Sequence, residues 1–136
     1  MAATNKQMQE QLQQINNVLG ENKKLSLNDN KKLIDKYCSP KIKNKFHILE
    51  INNELMTCTL NYTNIQTNAN KFMILQLLKN DNTDSFAIFS RGGRVGFTGK
   101  YTTDLYMDRA TAWKSFVERF YKKTGNTWEN KNNSND

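Results

Sequence analysis

Residues 71–79, KFMILQLLK, are the most apolar run in the chain and limit its fold more than any other stretch. Nine residues suit a strand better than a helix, and Asn70 and Asn80-Asp81 bound them. Apolar side chains fall on both faces, which predicts a central strand covered on both sides. A turn signal follows at 80–84. Residues 85–91 then alternate, with Phe86, Ile88 and Ser90 on one face and Ala87, Phe89 and Arg91 on the other. The two runs predict an antiparallel hairpin.

Four of the six glycines come next, at Gly92, Gly93, Gly96 and Gly99. Arg91, Arg94 and Lys100 stand among them, and no acid does. Glycine admits positive φ and close approach by a backbone or ligand. The second strand is therefore expected to break at Gly92-Gly93 into a turn that offers guanidinium groups to an anion. Shorter strands are expected at 46–50 and 54–60, a polar loop at 65–69, and a further strand within 97–107. Asp108 is a fit N-cap for the clearest helix, 109–123, where Trp113, Phe116, Val117, Phe120 and Tyr121 form one apolar stripe. Gly125 suits its C-terminal cap, and Trp128 is placed to fold back on the core. Strands followed by a helix across one face predict an α+β fold: a small antiparallel sheet covered by one amphipathic helix.

The N-terminal third reads differently. Met8, Leu12, Ile15 and Leu19 lie on one side of a helix at 7–19, ended by Gly20. So short a helix needs a surface to pack on, either its own domain or a partner. Residues 21–45 are lysine-rich and read as a solvated connector, with a short helix over 27–37 that Ser39-Pro40 ends. The chain thus divides into a helical, basic extension at 1–50, a domain at 51–130 and a disordered tail at 131–136.

Twenty basic residues against 13 acidic give a net charge of +7, which favours polyanionic partners. No run approaches the roughly 18 apolar residues of a membrane span, so no membrane partner is expected. Cys38 and Cys58 lack metal-ligand spacing and fit reduced intracellular thiols. His47, the single histidine, has no cysteine or acid at ligand or triad spacing. The glycines are not a dinucleotide fingerprint, since no helix opens directly after them. No catalytic residue, metal site, cofactor or small-molecule substrate is expected.

Arg91-Gly92-Gly93-Arg94-Val95-Gly96 resembles the Arg-Trp-Gly-Arg-Val-Gly core of the WGR domain, found in DNA-dependent poly(ADP-ribose) polymerases. The likeness extends on both sides. Leu60-Asn61-Tyr62-Thr63-Asn64-Ile65 is similar to the opening Leu-Asn-x-Thr-Asn of that domain, and residues 68–78 to its Asn-Asn-Lys-Tyr-Tyr-x-Ile-Gln-Leu-Leu strand. Ala112, Phe116, Phe120, Lys123-Thr124, Asn126 and Trp128 match its closing helix. Residues 54–130 are covered, and nothing before residue 50.

The family's naming tryptophan falls at Gly92. In the polymerases that ring packs on the sugar of a DNA end carrying a 5′-phosphate. Its loss removes a contact worth roughly 1–3 kcal/mol, tenfold or more in affinity. The resemblance places Asn70-Lys71 at the same DNA-facing surface and gives Arg94 contacts to DNA or neighbouring domains. The polymerases continue into regulatory and transferase domains for which this sequence has no room, so the resemblance implies a free-standing module without transferase activity.

Together these point to a non-enzymatic, nuclear module for nucleic acid, DNA before RNA, within a larger complex. Arg91, Arg94 and Lys71 are expected to hold phosphates, on a ribbon opened by Gly92 and Gly93, with Asn70 and Lys100 in support. The alternative is a protein-interaction module or accessory subunit of an ADP-ribosyltransferase, DNA-repair or chromatin complex, docking through residues 7–19 or Arg94.

Overall fold

The computed structural model describes residues 2–3 and 25–129. The helix expected at 7–19 and the tail at 131–136 lie outside the described residues. The centre is the apolar run, extended into a 12-residue strand, β6 (Ala69–Asn80). Along one edge it pairs antiparallel with β7 (Phe86–Arg94), in a register that sets Lys71 opposite Arg94 and Lys79 opposite Phe86. The other edge carries β5 (Thr57–Asn64) and, at its far end, β2 (Phe46–Ile48). The sheet is completed by β8 (Lys100–Tyr106) outside β7 and by β1 (Ala2–Ala3) outside β5. A small separate hairpin joins β3 (Glu50–Ile51) to β4 (Glu54–Leu55). Its turn residues Asn52 and Asn53 both have positive φ, which asparagine tolerates.

Strand alternation sends side chains to two faces, and each face has its own core. Leu60, Leu75, Leu77, Phe86 and Ile88 point to one side, where Ala112, Phe116 and Phe120 of helix α3 (Arg109–Thr124) cover them. That helix starts where Asp108 accepts a hydrogen bond from the Thr111 N–H, and ends at Gly125, whose φ of 74° only glycine adopts cheaply. Trp128 returns to the core, with its ring edge-on to Phe116 and Phe120 at 5.1 and 5.0 Å, and donates its indole N–H to Glu54. Tyr121, expected in the apolar stripe, is instead 56% exposed at the stripe's edge, while its neighbour Phe120 is buried.

The second face corrects the expectation for the N-terminal third. Residues 25–45 are no solvated connector. Helix α1 (Leu27–Lys32) stops earlier than expected, and Ser39-Pro40 opens a further helix, α2 (Pro40–Lys45), since proline fits a first helical turn. The segment buries Ile34 and Cys38 against Phe46, Ile48, Leu78, Ala87 and Phe89. Burial pushes the Cys38 thiol up to about 11, so it packs as a small neutral hydrophobe.

Single polar side chains fasten this segment to the sheet. Asn30, buried, accepts from the Ile48 N–H at 2.7 Å and donates to the Ile48 carbonyl at 3.0 Å, as a neighbouring strand would. Gln76, buried in β6, accepts from the Asp35 N–H and donates to the Leu33 carbonyl, both at 2.9 Å. Each such bond contributes about 1 kcal/mol, and an unpaired amide here would cost more.

Candidate nucleic-acid interface

The glycine-rich stretch does not break where the sequence suggested. Strand β7 runs on through Gly92 and Gly93 to Arg94, and the turn occupies residues 95–99. Val95 N–H reaches back to the Asn70 carbonyl at 2.9 Å, and Phe97 N–H to the Arg94 carbonyl at 3.1 Å. Gly96 and Gly99 supply the positive φ values, 96° and 79°. A Cβ on Gly93 would lie 2.8 Å from the Gly99 Cα, so the two glycines let the turn fold flat against the strand it leaves.

Arg91 and Arg94 are three positions apart, and alternation therefore sends them to opposite faces. Arg91 joins Ala87 and Phe89 on the face covered by the N-terminal segment. Its guanidinium makes a two-pronged ion pair with Asp35, leaving the two side chains 11% and 7% exposed. A third bond, of 2.7 Å, goes to the Thr98 carbonyl in the turn. The rings of Tyr37 and Phe72 lie 4.6 and 5.0 Å from the guanidinium carbon. The expected phosphate role of Arg91 is thereby corrected: its charge is neutralised by Asp35, and three of its donors are engaged within the fold. It clamps the turn, the strand and residues 35–37 together.

The helix-side face is different. Lys71 and Arg94 stand directly opposite each other across β6 and β7, and Lys100 opens β8 opposite Gly92. All three are exposed, and none has an ion-pair partner among the described residues. Like charges facing each other across a strand pair destabilise it, so an anion here would relieve repulsion. Lys123, in the last turn of α3, completes the cluster. In the sequence it had counted toward the match with the family's closing helix. With Tyr62 it borders a cleft of about 440 Å³ that also touches Leu60, Met73, Gly92, Lys71 and Arg94. Asn70 is exposed on the other face and contributes its backbone to the turn. Gly93 lines the cleft with its backbone alone, since a Cβ on it would point at Gly99.

His47 has a structural partner. Its Nδ1 lies 2.7 Å from Asp81, whose other oxygen accepts from Lys31 at 2.6 Å. Lys31 also donates to the carbonyls of Lys43 and Phe46, tying α1 to α2, β2 and the β6–β7 turn. Among the described residues no group of three or more His, Cys, Asp or Glu could hold a metal ion.

Comparison with known proteins decides the family. The profile of the WGR domain matches residues 56–135. The chain belongs to the WGR-domain family. It is 35% identical to maize poly [ADP-ribose] polymerase 2 over 104 residues, 74% of this chain and 16% of that protein. It is 33% identical to human poly [ADP-ribose] polymerase 2 over 99 residues, 72% of this chain and 17% of that one. Human protein mono-ADP-ribosyltransferase PARP3 is 44% identical over 71 residues, 52% of this chain and 13% of that protein. The chain thus spans between about one-eighth and one-sixth of the length of these relatives. In this WGR domain the motif strand is β7, its tryptophan position is Gly92 in the cleft lining, and its two arginines serve opposite faces.

Proposed function

We propose that this WGR domain is a non-enzymatic nucleic-acid-binding module, nuclear, working within a larger complex and contacting DNA through its phosphates. The observation that carries the reading is the facing pair Lys71 and Arg94, extended by Lys100 and Lys123 on one exposed surface with no carboxylate neutralising them among the described residues. The basic excess of the chain supports it, as does the resemblance of the domain to the WGR domain of DNA-dependent poly(ADP-ribose) polymerases. Phosphate contacts fix position and carry no base information, so the module binds with little sequence preference.

Four phosphate contacts give a slope of about −3.6 in log affinity against log salt, roughly a hundredfold loss between 50 and 200 mM. The experiment is binding of short duplexes, with and without a 5′-phosphate, across a salt series. Affinity that does not change with salt removes the reading.

Gly92 favours a second reading. Without the motif ring, the surface around Arg94 would serve a protein partner, with the module acting in trans as an accessory subunit of a separately encoded transferase. Retention on DNA that survives Arg94→Glu, with a partner pull-down that does not, selects this reading.

A further inference from the structure

Resting on the nucleic-acid reading above, we propose that the cleft over Gly92 receives the base of one unpaired nucleotide at a nucleic-acid end. The cleft measures about 440 Å³, within the range of sites that enclose a small planar ligand. Its lining brings the apolar side chains Leu60 and Met73 and the ring of Tyr62 together beside Gly92, which adds no side chain. Lys71, Arg94 and Lys123 line the same cleft. Apolar groups beside positive charge suit a flat ring covalently tied to a phosphate. The combination fits a nucleotide better than a phosphate alone, which has no use for the apolar groups.

A base within a duplex cannot enter, because it is paired and stacked. Extruding it costs a few kcal/mol, and least when it is already unpaired. At a flush end the last base is still paired and cannot enter the cleft, whereas an end with one extra nucleotide offers the phosphate and a free ring. Stacking of one base on a protein surface typically changes affinity by about tenfold. The cleft therefore makes the module select ends bearing an unpaired nucleotide.

The test uses the full chain and three labelled duplexes: flush, extended by one nucleotide, and extended by the same nucleotide without its base. The expected result is about tenfold tighter binding of the extended duplex, with the baseless extension equal to the flush end. Gly92→Trp should erase that difference by filling the cleft. A Cβ there lies 3.2 Å from the Phe72 carbonyl and 3.6 Å from Met73 Cγ, so only a small shift is needed. Should that variant fail to melt cooperatively, Tyr62→Ala is the second probe and should also reduce the preference. Equal binding of the two extended duplexes overturns the proposal while leaving phosphate binding intact. A preference that both variants retain overturns the site. Failure of all three duplexes to bind overturns the nucleic-acid reading itself and leaves the cleft to an aromatic group of a protein partner.

Discussion

Asp35 and Arg91, 56 positions apart in sequence, grip each other through two hydrogen bonds of 2.9 and 3.0 Å. The pair joins the N-terminal segment to the motif strand and, through Thr98, to the glycine turn. Asp35→Ala leaves a buried guanidinium without its counter-charge and should cost about 3–5 kcal/mol in urea unfolding. The double variant Asp35→Leu with Arg91→Met should recover most of that. Affinity of the folded protein for DNA should be unchanged, since Arg91 faces away from the cationic surface. A folded Asp35→Ala protein with weakened DNA binding would contradict this division of labour.

On the opposite face, charge should count directly. Arg94→Glu and Lys71→Glu should each abolish DNA retention at physiological salt, because each removes a phosphate contact and adds a repulsion. Lys123→Ala should lower the salt slope by about one and leave the fold intact. A slope unmoved by Lys123→Ala would place that lysine outside the interface.

Two glycines of the turn should differ sharply. Gly96→Ala meets nothing within 4 Å and should cost about 1–2 kcal/mol, the strain of a left-handed residue. Gly99→Ala carries the same strain and drives its Cβ into the Gly92 carbonyl, so thermal stability should fall much further. Equal melting temperatures for the two variants would mean that the turn does not lie against β7 in solution.

Acid should loosen the junction around Asp81. Burial pushes its carboxyl up, but hydrogen bonds from Lys31 and His47 outweigh this and hold it below the ordinary 3.8. A depressed carboxylate stabilises the fold fully above its unfolded value and loses that contribution as pH falls through the folded one. Stability should therefore decline below about pH 3.8. Asp81→Asn should flatten that acid limb while lowering stability at neutral pH. An acid limb identical in both proteins would refute the assignment.

The parts that were legible in the sequence are those written as periodic patterns. The run at 71–79, the alternation after it and the spacing of Phe116 and Phe120 gave the hairpin, the central strand and the covering helix. Docking of residues 25–45 was not legible, because it rests on single side chains such as Asn30 and Gln76 whose partners lie up to 43 positions away. No local pattern marks such bonds. Arg91 is the instructive case. Alternation had already put it on the face of Ala87 and Phe89, which is buried. Reading Gly92-Gly93 as a turn overrode that signal, although both glycines stay extended and the positive φ values belong to Gly96 and Gly99.

The two motif arginines are separated by an odd number of steps along an extended ribbon, and that parity has a consequence for chain length. An insertion or deletion of one residue between them would carry the second cation inward, where one acid already serves the first, and strip the outer surface of it. Reading frame along the ribbon, more than residue identity, decides which arginine holds the molecule together and which greets a guest.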